Sequence, residues 1–117
     1  MKKLTLLLTA ILLLTGNIMA QFAGGEGTKE DPYLISRTDH LDSVRYFLGA
    51  HFKLVADIDL SGFANWQPIG PSAGNSFTGS FDGNGKVISN LTINRNSDYQ
   101  GLFGRFQPSE LGDSIKN

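Results

Sequence analysis

The chain has no cysteine, only two histidines and one tryptophan among its 117 residues. The absence of cysteine excludes a disulfide framework and any thiolate metal site. The chain also lacks an excess of one charge, because its ten Lys and Arg residues nearly balance its eleven Asp and Glu residues. The basic residues form no cluster in the sequence. A nucleic-acid partner is therefore not expected. A small domain without disulfides needs another source of stability, and stacking of repeated structural units supplies one.

Long hydrophobic runs are missing except at the start of the chain. Two lysines are followed by a mostly apolar run from Leu4 to Leu14, and a small residue, Ala20, ends the segment. This pattern predicts a signal peptide over the first twenty residues, with a mature chain beginning at Gln21. The alternative is a membrane anchor, but Gly16 and Asn17 interrupt the run before the roughly 20 apolar residues that a spanning helix needs. We expect an exported protein, extracellular or at the cell surface, with no membrane span after cleavage.

One helix is predicted after the signal peptide. Residues 21–30 are glycine-rich with little to bury and read as a flexible leader, or as a loop entering the fold. Thr38 and Asp39 are candidate N-caps, an apolar stripe follows, and Gly49 is placed to end the helix. Such a short amphipathic helix is expected to cover an open end of a β-rich core.

The rest of the chain has the pattern of short strands. Residues 51–60 alternate apolar and polar side chains with period two, as in a strand with one wet face. Residues 77–93 read as strand, turn and strand, with Asp82 to Gly85 forming either a hairpin reversal or a corner. Another short strand is predicted at residues 101–106, and residues 108–117 look polar and irregular. The pattern fits a small β-sandwich, or a solenoid of stacked coils.

Five segments, taken in order, resemble the N-terminal region of bacterial surface proteins that carry GLUG repeats. They are residues 27–35, 51–60, 66–70, 77–93 and 101–104. The individual residues that carry the later part of the resemblance are Trp66, Phe77, Phe81, Asp82, Gly83, Asn84, Gly85, Asn90, Gly101, Leu102, Phe103 and Gly104. Each short motif is weak alone, but five in family order are a fairly specific signal.

The resemblance implies an all-β fold, the first coils of a right-handed parallel β-helix of the adhesin type, exported to the cell surface. Related segments also occur beside the peptidase domain of some bacterial immunoglobulin proteases. Residues 31–117 would then be the N-terminal cap and first coils. Only thirteen residues follow Gly104, whereas such proteins continue through many coils, so we expect this region to be incomplete.

Three carboxylates are weak candidates for a calcium site. Asp57 and Asp59 lie two apart on one strand face, and Asp82 lies in a glycine-rich turn. Such groups bind Ca²⁺ or act as the acid and base of a glycan-cleaving site. The favoured alternative is that they are solvated or accept turn hydrogen bonds. No metal or other cofactor is predicted.

Other catalytic patterns receive little support. His40 and His51 lack metal-ligand spacing and are expected at the surface or at a helix end. A Ser-His-Asp triad has no nucleophile elbow to support it. Trp66, Phe77 and Phe81 would make a platform for sugar rings, but packing in the core is the default for aromatic residues on strands. Asn90 is most simply part of the side-chain alternation of a strand, and in a parallel solenoid it would alternatively stack in a ladder with Asn of adjacent coils.

The sequence favours a non-enzymatic, adhesin-like surface segment with a structural or binding role. Its partner would be a glycan or a protein of a host or cell surface, or another copy joined through an open end of the β-helix. Two alternatives remain, namely a fragment of a β-helix polysaccharide lyase or hydrolase, and an accessory domain of a surface peptidase.

Overall fold

The structure is a computed structural model that describes residues 21–117, so the predicted signal peptide lies outside the described residues. The described chain is mostly strands and irregular turns, with one short helix. The elements in chain order are β1 (Tyr33–Ile35), α1 (Thr38–Ser43), a 3-10 turn (Val44–Tyr46), β2 (His51–Leu54), β3 (Ile58–Asp59), β4 (Ser80–Asp82), β5 (Ile88–Ser89) and β6 (Ile115–Lys116). The β-rich class expected from the sequence is confirmed.

All six strands pair in parallel. One sheet has the order β1-β2-β4-β6, and the second contains β3 and β5. In the larger sheet Tyr33 lies opposite Phe52, which lies opposite Phe81. Parallel neighbours require a crossover connection, and the crossover from β2 to β4 passes through the second sheet. The chain therefore visits both sheets in turn.

The core is a column of apolar side chains that point inward from successive strands. Phe52 lies 5.7 Å from Tyr33 and 6.5 Å from Phe81, measured between ring centroids. Period-two alternation produces this column, because every second side chain of a strand faces the same side. The buried hydrophobic residues are Phe22, Ile35, Leu41, Val44, Phe52, Leu54, Ile58, Leu60, Trp66, Ile69, Phe77 and Phe81. Each large side chain of this kind contributes about 1.5–3 kcal/mol on burial.

The segment of residues 77–93 forms a corner and not a hairpin. β4 pairs with β2 and β6, whereas β5 pairs with β3 in the other sheet. The chain turns through Asn84 at φ 52° and Gly85 at φ 69°, and the Asn84 amide donates to Asp82 Oδ1 at 2.8 Å. Asn and Gly tolerate this left-handed backbone, so the corner interpretation is correct.

The predicted strand over residues 51–60 is divided between the two sheets. β2 ends at Leu54, and β3 begins at Ile58. The alternation survives the bend, because Phe52, Leu54, Ile58 and Leu60 are all buried. The periodicity thus identified the inward side chains correctly, although it did not reveal the change of sheet.

The helix is shorter than predicted and begins differently. Its N-cap is Arg37, which makes no capping side-chain hydrogen bond, so Thr38 and Asp39 do not act as caps. The helical turns end at Tyr46 instead of continuing to Gly49. Tyr46 is exposed, whereas Leu41 and Val44 of the predicted stripe are fully buried.

Residues 21–30 differ from the expected flexible leader. Phe22 is buried and stacks on Tyr33 with ring centroids 4.4 Å apart. The Ala23 amide donates to the Leu34 carbonyl at 2.8 Å, and the Leu34 amide donates to Gly24 at 2.9 Å. This antiparallel bridge covers the outer edge of β1, because it occupies hydrogen-bonding groups that the edge strand presents.

The last third of the chain contains one strand that the sequence did not predict. β6 lies within residues 108–117, where an irregular segment was expected, and Phe81 of β4 pairs with Ile115. The strand expected at residues 101–106 is reduced to isolated bridges, in which Phe103 meets Ile69 and Phe106 meets Phe77.

A substitution at Gly79 tests the close approach of neighbouring strands. A Cβ atom at Gly79 would lie 1.8 Å from the Ala50 carbonyl oxygen, whereas one at Gly62 would meet no atom within 4 Å. We expect Gly79→Ala to lower the free energy of unfolding by about 1–3 kcal/mol through overpacking. Gly62→Ala is the matched control and should stay within about 0.5 kcal/mol of the unsubstituted protein. Urea unfolding measures both, and equal stabilities of the two variants would contradict the strand spacing.

Candidate functional site

The candidate site is a polar depression on the outward face of the larger sheet. Because Phe52 and Phe81 point into the core, the side chains beside them on β2 and β4 point outward. The depression has a volume of about 180 Å³. We call it the sheet-face cleft, and its polar side chains are those of Lys29, His51, Lys53, Ser80, Asp82, Ser114 and Lys116.

Two rows of polar side chains cross the strands in the sheet-face cleft. In the first row, Lys53 is in register with Asp82, which is in register with Lys116. Lys116 Nζ lies 4.0 Å from Asp82 Oδ2, and Lys53 has no ion-pair partner among residues 21–117. In the second row, His51 Nδ1 and Ser80 Oγ are hydrogen-bonded at 2.6 Å. Neighbouring strands of the larger sheet thus bring together the side chains of both rows.

An ion pair closes one side of the cleft. Lys29 Nζ lies 2.8 Å from Glu110 and 3.2 Å from Asp113. The hydrogen bond to Glu110 is the main cause that raises the pKa of Lys29, followed by the one to Asp113. The Asp113 side chain is only 1% exposed. Burial raises the pKa of Asp113, but Lys29, His51 and Ser109 together outweigh burial and hold it below the usual value. Both groups are therefore charged at neutral pH.

The His51–Ser80 pair is a contact of the candidate site that sequence reasoning missed, as it missed the ion pairs of Lys29 and Lys116. A histidine that hydrogen-bonds a serine is one component of a nucleophilic triad, although neither residue lies in a recognised catalytic motif. The signal that was present is the alternation itself, because His51 precedes buried Phe52 and Ser80 precedes buried Phe81. Without the register of β2 against β4, nothing in the sequence brings the two polar residues together.

The carboxylates considered for calcium accept hydrogen bonds from the protein. Asp57 Oδ1 accepts from the Val87 amide at 2.9 Å. Asp59 Oδ1 accepts from the Ser61 amide at 2.9 Å and from Asn90 Nδ2 at 2.8 Å. These bonds, that of Asn90 foremost, lower the pKa of Asp59. Across residues 21–117, no three His, Cys, Asp or Glu side chains gather closely enough to hold a metal ion.

Asp82 is engaged in a similar way, through the Asn84 amide. Its second oxygen faces Lys116, so of the three acidic candidates only Asp82 belongs to the sheet-face cleft. Asn90 contacts a side chain 31 residues earlier in the chain, and its partner is Asp59 and not another asparagine. Asn90 adopts φ 60°, which an asparagine tolerates better than most residues.

The aromatic candidates are packing residues. Trp66 is 1% exposed, Phe77 is fully buried and Phe81 is 3% exposed. Trp66 Nε1 donates to the Leu102 carbonyl at 3.2 Å, and the Arg45 guanidinium lies 5.1 Å from the centre of its ring system. These rings offer no open face for a sugar.

The segment of residues 101–104 supports the same core. The Phe103 ring lies 4.9 Å from Phe77 and 5.2 Å from Phe81. A Cβ atom at Gly104 would lie 2.7 Å from the Gly70 carbonyl oxygen, while Gly101 would bring one 3.0 Å from the Phe103 carbonyl oxygen. The two glycines thus let the backbone approach closely.

The two histidines occupy different environments. His51 lies in the sheet-face cleft, whereas His40 is only 4% exposed and lies in the last turn of α1, so of the two expected positions the helix end is the correct one and the surface is not. His40 Nδ1 accepts the Ser36 amide at 3.1 Å, and the ring lies 6.3 Å from Phe22. Burial is the main cause that lowers the pKa of His40, and the Arg37 charge adds to it. His40 is therefore neutral at pH 7.

Comparisons with known proteins give partial relatives. No protein-family model matches the chain. The chain is 53% identical over 91 residues to a "Putative Gly-rich membrane protein" of Evansella cellulosilytica, and the match covers 71% of this chain and 10% of that protein. It is 39% identical over 105 residues to halomucin of Haloquadratum walsbyi, covering 80% of this chain and 1% of halomucin.

A solved structure shares the fold. The crystal structure of a "putative immunoglobulin A1 protease" from Bacteroides ovatus matches with a TM-score of 0.66 and 31% identity, covering 74% of this chain and 26% of that one. The chain thus spans a tenth or less of these curated relatives and about a quarter of the solved neighbour. Among residues 21–117, no helix has the length and apolar character needed to cross a membrane.

The buried neutral His40 predicts a loss of stability in mild acid. In the unfolded chain His40 has its ordinary pKa of about 6.5 and binds a proton more readily than in the folded protein. Its contribution is fully present above that pH and is lost as the pH falls below it. Urea unfolding from pH 7.5 to 5 should show this decline in the free energy of unfolding. His40→Asn, which keeps an acceptor for Ser36, should reduce the decline, and His51→Gln should preserve it.

Proposed function

We propose that this chain is an exported, non-enzymatic module of a bacterial surface protein, built as the cap and first coils of a right-handed parallel β-helix. The observation that carries the proposal is the all-parallel pairing of the strands β1 to β6. Residues 31–117 would form the N-terminal cap and the first coils, with α1 and the preceding residues 21–30 in the cap and the strands in the coils. The working surface would be the outward faces of the sheets.

Side-chain hydrogen bonds between layers support this architecture. Their partners are 29 residues apart for His51 and Ser80, 30 for Asp57 and Val87, and 31 for Asp59 and Asn90. A repeated spacing near 30 residues at different points of the circumference is the behaviour of a stack of coils. Right-handed crossovers are the strong preference for parallel strands, and hence we propose that hand.

The surface location rests on the apolar N-terminal segment and on the relatives. One relative is described as a Gly-rich membrane protein and the other as halomucin, and this chain resembles a small part of each. The five segments that resemble GLUG-repeat surface proteins lie on the stacked layers. We propose a structural or binding role at the cell surface, and the partner class is a glycan or protein on that surface or on a host.

A second candidate is an accessory domain beside a surface peptidase. The structural neighbour is described as an immunoglobulin A1 protease, and the present chain matches about a quarter of it. In this alternative the module would position a substrate while another domain supplies the chemistry. The alternative of a polysaccharide lyase has less support, because Asp57 and Asp59 already accept hydrogen bonds that join layers.

Export can be tested by expressing the full chain in a bacterium and fractionating the cells. We expect the protein outside the cytoplasm. Its mass should be that of a chain that begins at Gln21, because the signal peptide has been cleaved. A Leu8→Arg, Leu12→Arg variant is the control and should stay uncleaved in the cytoplasm, because two charges interrupt the apolar run. Uncleaved unsubstituted protein in the cytoplasm would contradict the proposal, and uncleaved protein in the membrane would favour an anchor.

The absence of catalysis can be tested on the His51–Ser80 pair. We expect the purified protein to leave immunoglobulin A1 intact on gels and to release no unsaturated products, followed by absorbance, from polygalacturonate. Ser80→Ala should behave identically. Turnover of either substrate would contradict a non-enzymatic module, and turnover that Ser80→Ala abolishes would make the serine a nucleophile.

A further inference from the structure

We infer that the sheet-face cleft binds the carboxylate of an acidic saccharide, with Lys53 as the main charged contact. The inference rests on the proposed binding role and names the site and the ligand class. It depends on three features of the cleft, namely the uncompensated charge of its Lys53–Asp82–Lys116 row, its hydrogen-bonding groups and its continuation into a second depression.

The Lys53–Asp82–Lys116 row of the cleft is positive by about one ammonium group. Lys29 lies outside this row and faces two carboxylates, Glu110 and Asp113, at 2.8 and 3.2 Å, so that side of the cleft carries no free positive charge. Asp82 is the one carboxylate in the Lys53–Asp82–Lys116 row, and it lies on the strand between the two lysines. One carboxylate cannot neutralise two ammonium groups, so a single negative charge from a ligand completes the row.

Lys53 is the better placed of the two lysines. It lies on β2, which is paired on both sides, by β1 and by β4. Its side chain is half-buried, whereas that of Lys116 is 66% exposed. A charge on a central strand with neighbours on each side loses less conformational freedom when it binds a ligand, and it is less screened by solvent than one at the edge.

The second row supplies groups that recognise sugar hydroxyls. His51 and Ser80 are fixed against each other at 2.6 Å, and Ser114 also lines the cleft. Serine hydroxyls donate and accept, and a neutral imidazole has one donor and one acceptor nitrogen. Hydroxyl groups next to a carboxylate distinguish an acidic sugar from a simple anion, and the two rows match both kinds of group.

The cleft continues into a neighbouring depression of about 420 Å³. Lys29 and His51 line both depressions, and Thr28, Glu30 and Glu110 extend the second one. The combined length favours a ligand of more than one sugar unit. A nucleic acid fits less well, because the acidic residues outnumber the basic ones in the chain and would repel a dense polyanion.

The test is a titration followed by nuclear magnetic resonance on ¹⁵N-labelled protein. The probe is a disaccharide that ends in glucuronate, and the matched ligand is the same disaccharide ending in glucose. We expect saturable shifts centred on the amides of His51, Lys53 and Ser80 with the acidic probe, and at least a tenfold weaker response with the neutral one. Raising the salt concentration should weaken the binding of the acidic probe.

Two lysine variants separate a specific contact from general charge. Lys53→Met should weaken binding about tenfold, the loss expected for one charge-assisted hydrogen bond. Lys86→Met is the control, because Lys86 is exposed at the corner outside the cleft and should bind as the unsubstituted protein does. Both variants should keep the unsubstituted protein's urea midpoint, since both side chains point away from the core.

Three results would overturn the inference. They are the absence of shifts in the cleft, equal responses to the acidic and neutral disaccharides, and equal losses in the two lysine variants. Acetate that binds as tightly as the acidic disaccharide would also overturn it, because the hydroxyl-binding row would then contribute nothing. The export assay is independent of all these outcomes, so failure here leaves the proposed surface location standing, and failure of export leaves this binding test interpretable.

Discussion

Parallel pairing of short strands is the constraint on which the rest of the structure depends. A parallel neighbour cannot follow after a tight turn, so each strand must find its partner a full crossover away. Strands of two to four residues make few hydrogen bonds of their own. Their position is held instead by the column of Phe22, Tyr33, Phe52, Phe77 and Phe81, whose rings pack against one another. Burial of this column and the strand register support each other, because a shift of one residue would turn every aromatic side chain to solvent.

At the corners, polar side chains also help to hold the short strands in position. Asp57, Asp59 and Asn84 each reach a group about 30 residues away, and Asn84 Nδ2 donates to the Leu54 carbonyl at 3.1 Å. Such bonds satisfy backbone groups that the short strands leave without partners. The cost is that these side chains lose freedom to act on a ligand. Residues that look like metal or catalytic candidates in the sequence thus connect segments that are about 30 residues apart.

The features that could not be predicted from the sequence depend on contacts between residues that are distant in the chain. Alternation identified the inward residues at Phe52, Leu54 and Ile58, because side-chain direction in a strand is a local property. β6 was missed because its pairing with β4 is determined by distant residues and its two side chains are exposed. The buried position of His40 and the His51–Ser80 contact were missed for the same reason. Local sequence patterns were enough to predict the core residues. The candidate site could be identified only from the register between strands that are distant in the sequence.

The two faces of the larger sheet have different roles. The inward face is fixed by packing, so substitutions there disturb every layer. The outward face carries the polar partners of the same strands, and its side chains contribute little to the core. Lys53, Asp82 and Lys116 come from three strands that are far apart in sequence, yet the register makes them neighbours. Because the inward column determines that register, any binding property of the outward face depends on aromatic residues whose rings point into the core.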